Sequence, residues 1–341
     1  MNKLFPLLAV LSLAFHATPT RAAFINGQNY VAISDWARGN GFYGFTRNRG
    51  DEIVLTNRTA RLVFDVDSAQ AEINGVNVRL SFPVAKGALI SQLDLDKMVR
   101  PLLFPSRYAE PRKITTICLD PGHGGKDTGN RVPGFFWHNE KTYTLELAFE
   151  LRDQLKQAGF KVILTRNKDT YVDLPARPAV ANRNGADLFV SLHFNATQNG
   201  KNEVKGPETY CITPIGANSS NEESVEFSSG IGTGPTAANH SEDRSLLLAY
   251  QIQKSLVQNL NADDRGVRRA RFAVLRDAAM PAILIESGYM TNPTEGKKIY
   301  DSTYRKKMAA AIVKGILSYQ KLTAPVVSSP VATPNKIPNV R

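Results

Sequence analysis

Cysteine is scarce, with Cys118 and Cys211 the only two in 341 residues. Two thiols cannot constitute a disulfide framework, so packed cores must supply the stability, and both side chains are expected to be buried and dispensable. Acidic residues are outnumbered: 31 Asp and Glu face 42 Lys and Arg, a net charge of +11. Such a surface attracts polyanions, whether nucleic acid, anionic lipid or acidic wall polymer, without choosing among them. Past the first two dozen residues no apolar run is long enough to span a bilayer. With 42% hydrophobic and 21% charged residues, wholesale disorder is excluded and one large or two smaller cores are possible.

Residues 1–22 read as a secretory signal peptide. Lys3 precedes an apolar run from Leu4 to Phe15, and Thr20-Arg21-Ala22 puts small residues at the two positions inspected before cleavage. A membrane anchor is the alternative, but the run is short and holds Pro6. Export is the expectation, to the periplasm or the extracellular wall, with no membrane span after cleavage. Nucleic acid then becomes an unlikely partner.

Residues 24–105 read as a small β-rich α+β domain. Ala60, Leu62, Phe64 and Val66 alternate with Arg61, Val63, Asp65 and Asp67, the period of a half-buried strand. Asn74-Gly75 suits a tight hairpin, followed by Val78 and Leu80. A helix is expected near Ser34 to Arg38, with Ser34 as its cap. Ile25-Asn26-Gly27 echoes Ile73-Asn74-Gly75, a weak internal repeat in which an acidic helical patch follows each copy. "INGQNYVAISDWARGNGF" and "AEINGVNVRL" resemble the small stalk-type domain named after the N-terminus of copper amine oxidases. No copper site is implied, because the segment holds neither histidine nor cysteine. Wall attachment is the expected role, ahead of dimerisation.

Residues 106–112 form a polar linker, and from 113 to 322 strands alternate with helices. Strands are expected at Ile114–Leu119, Lys161–Thr165, Ala186–His193, Phe272–Leu275 and Ala282–Glu286. Helices are expected at 140–158, 176–184, 245–260 and 302–322, the first with Tyr143, Leu147, Leu151 and Leu155 on one face. This alternation argues for an α/β fold, a mainly parallel sheet with helices on both faces. Residues 323–341, with four prolines and no acidic residue, read as an extended tail.

The chemistry gathers at strand ends. Asp120-Pro121-Gly122-His123-Gly124-Gly125 follows one strand, and His193 ends another in "SLHFNA". Ligands collect beyond the carboxyl ends of strands in such sheets, so the two imidazoles can face one another. Glu140 opens the long helix at that same edge; it is either a third ligand or a first-turn carboxylate favoured by the helix dipole. Two histidines and a carboxylate with an open fourth position are what catalytic zinc requires. Glu286, ending the strand in "AILIESGYMTNP", is either the general base of a metal hydrolase or a strand-end partner of an arginine such as Arg276. His138 and His240 are expected in loops, away from any metal. The arginines at 265, 268, 269 and 271 read as a solvated face able to touch acidic groups.

"LDPGHGGKDTGN", "NEKTYTLELAFELRDQLKQAGFKVILTR", "ARPAVANRNGADLFVSLHFNA", "GPETY" and "RGVRRARFAVLRDAAMPAILIESGYMTN" stand in one order across residues 114–321. In these motifs the chain resembles the zinc N-acetylmuramoyl-L-alanine amidases of the amidase 3 type. The resemblance implies zinc on His123, Glu140 and His193, catalysis by Glu286, and supporting or substrate-contacting roles for Asp120, Glu208, Arg177 and Asn195. It implies cleavage of the amide between muramic acid and the first stem residue of peptidoglycan, and in regulated members a plug released by an activator protein. The stretch between Tyr210 and Ser245 is where such a plug, carrying Glu222, Glu223 and Glu226, or a substrate lid would sit. The competing readings are another zinc wall hydrolase, a peptidase or deacetylase, and a non-catalytic wall-binding protein. Release of intact stem peptides with a free alanine amine separates the first from the others.

Overall fold

The computed structural model describes residues 22–47, 51–132, 135–198, 200, 202–219 and 234–324. Residues 1–21 of the expected leader, 325–341 of the tail, and Glu222, Glu223 and Glu226 lie outside them.

The chain opens with the hairpin β1 (Ala22–Ile25) and β2 (Gln28–Ala32), followed by α1 (Ile33–Gly39). Next come β3 (Gly44–Arg47), β4 (Glu52–Thr56), β5 (Arg61–Asp65), β6 (Gln70–Ile73) and β7 (Val76–Arg79). After β8 (Leu89–Ser91), which pairs with β2, a helical run passes through α2 (Gln92–Asp94), a π-turn at Leu95–Val99 and α3 (Arg100–Leu103). Asn26-Gly27 and Asn74-Gly75 both occupy the left-handed region, at φ 47° and 78° and at 50° and 78°. That is the turn Asn-Gly favours, so the repeated tripeptide marks two hairpins. Ser34 does not cap α1: the helix begins one residue earlier, with Ala32 in the cap position.

The remainder supplies β9 (Thr116–Pro121), β10 (Arg131–Val132), β11 (Phe135–Asn139), α4 (Glu140–Gln157), β12 (Lys161–Leu164) and α5 (Ala176–Arg183). These are followed by β13 (Leu188–Asn195), β14 (Glu208–Cys211), α6 (Glu242–Leu260), β15 (Val267–Arg269), α7 (Ala273–Arg276), β16 (Ala282–Tyr289), α8 (Pro293–Tyr300) and α9 (Ser302–Thr323). The strands lie in the order β12-β9-β13-β16-β14-β15-β7-β6-β5-β4-β3, one mixed sheet of 11 strands. From β12 to β15 every pairing is parallel except β14 with β16; from β7 to β3 all are antiparallel.

Alternation along the central strands divides the core in two. Ile117, Leu119, Val190, Leu192, Ile283, Ile285 and Cys211 point to the face covered by α4, α6 and α9. Cys118, Phe189, Leu284 and Tyr210 point to the other, where only the short α5 and α7 pack. The thin covering of that second face leaves a cleft at the carboxyl edge. The two thiols are buried and free. Three strand spacings separate them, roughly 14 Å, which is beyond disulfide reach.

Phe272–Leu275 is not a strand. Residues 273–276 form the single helical turn α7, while the strand in this region is β15. A run of four apolar residues carries no period that separates strand from helix.

Candidate active site

His123 follows β9 in the left-handed region, at φ 62°, and is followed by Gly124 and Gly125 at φ 126° and 57°. The turn is crowded for a reason. A Cβ on Gly122 would lie 2.3 Å from the His193 ring, and one on Gly129 would lie 2.6 Å from both Glu140 Oε2 and the His123 ring. The glycines therefore allow backbone to close around two imidazoles and a carboxylate.

His123 Nε2 lies 3.0 Å from Glu140 Oε2, and His193 Nδ1 lies 2.9 Å from Glu140 Oε1. The two rings meet edge to face at 4.9 Å. Glu140, the first residue of α4, is 1% exposed, and its oxygens also accept from Asn130 N and Phe194 N. A carboxylate serving only the helix dipole would not be buried between two histidines. Burial alone would raise its pKa, but the two imidazoles outweigh that and hold it far below the carboxylate range. Burial would conversely lower His123, yet Glu140 on one ring nitrogen and Asp127 on the other raise it above the ordinary value.

One ligand atom from each of His123, Glu140 and His193 lies within 4.8 Å of the other two. Two nitrogens, one oxygen and a glycine cradle suit zinc, whose tetrahedral ligands stand a little over 3 Å apart. Asp127, which the sequence reading passed over, holds His123 Nδ1 at 2.9 Å, the outer carboxylate that such ligands commonly have. Its signal was present in "GHGGKD", a carboxylate four residues past the histidine inside a glycine turn.

Glu286 stands on β16 in register with His193. Its Oε2 is buried without a hydrogen-bond partner, and Arg276 is exposed and does not pair with it. Burial first, then Glu140 and Glu208, push its pKa well above the ordinary carboxylate value. His123, Asn130, Glu140, Leu174, His193, Phe272, Leu284 and Glu286 line one cleft of about 330 Å³.

The other singled-out residues support this centre. Asp120 is fully buried, paired with Arg177 Nη1 at 2.9 Å and accepting from Thr165 and Ser191. Arg177 also donates to the His123 carbonyl, tying α5 to the glycine turn. Asn195 donates to Glu208 Oε1 at 2.7 Å, and Glu208 faces Glu286 across the β14–β16 ladder. His138 is not in a solvent-exposed loop; it lies on β11, stacked on Tyr300 with ring centroids 3.8 Å apart and bonded to the Tyr143 hydroxyl. His240 is exposed and bonds backbone carbonyls.

The chain is 34% identical over 232 residues to the N-acetylmuramoyl-L-alanine amidase AmiC of Neisseria meningitidis, covering 63% of this chain but only 55% of that protein. It is 31% identical over 221 residues to the amidase AmiA of Escherichia coli, covering 60% of this chain and 75% of that one. Among solved structures it is similar to an N-acetylmuramoyl-L-alanine amidase of Clostridium difficile 630, at 34% identity and TM-score 0.50, covering 62% of this chain and 98% of that one. It is likewise similar to AmiC2 of Nostoc punctiforme, at 33% identity and TM-score 0.50, covering 61% and 97%. The family model described as N-acetylmuramoyl-L-alanine amidase matches residues 117–318, which include both histidines, Glu140 and Glu286. The chain belongs to the N-acetylmuramoyl-L-alanine amidase family.

Proposed function

We propose that this protein is a zinc-dependent hydrolase of peptidoglycan that cuts the amide between N-acetylmuramic acid and L-alanine, freeing the stem peptide in an exported compartment. The observation that carries this reading is the convergence of His123, Glu140 and His193 beside Glu286, whose Oε2 is buried without a partner.

His123, Glu140 and His193 would hold the zinc. When bound, zinc supplies Lewis acidity, polarising a carbonyl and drawing the pKa of water from about 16 toward about 7. Glu286 takes the proton of the attacking water and returns it to the departing alanine nitrogen, so the acyl carbon gains the hydroxyl and the amine leaves neutral. Asp127 fixes the orientation of the His123 ring, and Arg177 holds the turn that carries it. Leu174, Phe272 and Leu284 give the cleft an apolar wall beside the reacting amide.

Digestion of purified peptidoglycan, followed by mass spectrometry with and without a chelator, tests the reaction. Intact stem peptides with a free alanine amine are expected, and chelation should abolish them. Glycan or cross-link cleavage instead would refute the assignment. Glu286→Ala should lower kcat by about 10²–10⁴-fold while metal analysis still finds zinc. His123→Ala should lose metal and activity together. The β-rich N-terminal part, similar in sequence motif to the stalk-type domain, is proposed to attach the enzyme to the wall.

A further inference from the structure

Resting on the amidase reading, we propose that Arg265 and Arg268 form a carboxylate-binding subsite that selects stem peptides whose second residue carries a free acidic group. Arg268 lies on β15 in register with Tyr210, on the sheet face that also presents Glu208 and Glu286. Two strand spacings across the sheet and two residues along it separate Arg268 from Glu286, roughly 12 Å in the plane of the sheet. An extended peptide advances about 3.4 Å per residue, so a chain leaving the scissile amide along this face brings its second residue within reach of an arginine side chain.

The charges of this cluster do not cancel. Arg268 Nε lies 2.9 Å and Arg265 Nε 3.6 Å from the single carboxylate oxygen Glu208 Oε2, two guanidinium charges against one buried anion. Neither approach has the alignment of a hydrogen bond. Among the described residues no other acid pairs with either arginine. Arg265 is otherwise set over the Tyr289 ring at 5.0 Å, which holds its guanidinium plane. Glu208 is itself anchored by Asn195, Tyr210 and Tyr289. The anchored carboxylate thus faces both Nε edges, and among the described residues no hydrogen bond engages the Nη donors of either side chain. Those donors are the fork that grips a carboxylate in two parallel bonds. The side chains keep 29% and 18% of their surface exposed although both Nε atoms are buried. A solvated basic face would not be tethered from behind by a buried glutamate, whereas a receptor for an anion would be.

The experiment uses the zinc-loaded full chain with two muropeptides that differ only in whether the second stem residue bears a free carboxylate or its amide. The wild type is expected to favour the carboxylate form about tenfold in kcat/KM, mainly through KM. Arg268→Gln should bring that ratio close to one by raising KM for the acid form. Arg265→Lys keeps the charge opposite Glu208 but loses the fork, and is expected to reduce the ratio in part; it also serves if Arg268→Gln fails to fold. A wild-type ratio of one overturns the subsite, as does an Arg268→Gln protein in which both substrates slow equally. Cleavage of neither substrate by the wild type overturns the amidase reading and the subsite with it, an outcome distinct from equal cleavage of both.

Discussion

Asp127 shows how much of the centre depends on a residue outside the His-Glu-His set. It accepts on His123 Nδ1 while its other oxygen takes the Gly129 amide, so one carboxylate sets both the ring and the glycine turn. Outer partners of this kind are worth about 10–100-fold in metal affinity. Asp127→Ala should weaken zinc binding by that factor, read by competition with a calibrated chelator, and unchanged affinity would show that Asp127 acts on the turn alone. At this scale the sequence was most informative. His123 follows β9, Glu140 opens α4, and His193 and Glu286 lie two and three residues short of the ends of β13 and β16, which run on past the expected strand ends, so a coarse sense of the topology was enough to bring them together. His138 was misread because its partners Tyr143 and Tyr300 lie on two helices, one of them α8, which periodicity did not reveal although Asn292-Pro293 is a helix-start signal.

Elements are held in place by buried polar clamps as well as by apolar packing. Asp187, just before β13, accepts from Thr115 N, Thr116 N and the Thr115 hydroxyl and pairs with Arg112 at 3.0 Å, locking the entry of β9 to that of β13. Burial alone would raise its pKa, but those donors and Arg112 outweigh it and hold it below the ordinary carboxylate value. A depressed folded pKa contributes stability above the unfolded value of about 3.9, and that contribution is lost as pH falls through the folded pKa. Asp187→Asn should therefore cost about 2 kcal/mol at neutral pH, with the gap between variant and wild-type melting closing below about pH 4. A gap that persists at pH 3 would assign the effect to shape and not to charge. Long elements such as α4, α6 and α9 were legible because their apolar faces repeat several times. The short ones were not: β14 and β15 have four and three residues, and their strand character comes from neighbours in the sheet.

Across the whole molecule, the N-terminal β-rich part and the amidase part share a sheet. Val78 of β7 pairs with Val267 of β15, Asn77 N donates to Asp264 Oδ2 at 2.7 Å, and the Tyr250 hydroxyl donates to the Ile73 carbonyl at 2.8 Å. One apolar core runs from Trp36 and Ile53 through to Leu246 and Ile283. This joint could not be read from sequence, since a single residue pair between strands 189 positions apart leaves no local period. Its physical consequence is shared cooperativity. Asp264 also accepts from Gln253 Nε2 and Gly266 N, so Asp264→Ala strands three donors at the seam. The expected cost is about 2 kcal/mol, or roughly 3 °C in Tm for a chain of this size melting as one unit. The chain's two tryptophans allow the two parts to be followed separately. In a Trp137→Phe background, Trp36 fluorescence reports the N-terminal part, while circular dichroism at 222 nm is weighted toward the helices of the amidase part. Both signals should melt at one midpoint in wild-type and Asp264→Ala proteins, the second lower than the first. A Trp36 transition that moves alone would show that the shared strands join two units that unfold independently, and the N-terminal part would then act as a tether and not as a wall of the enzyme.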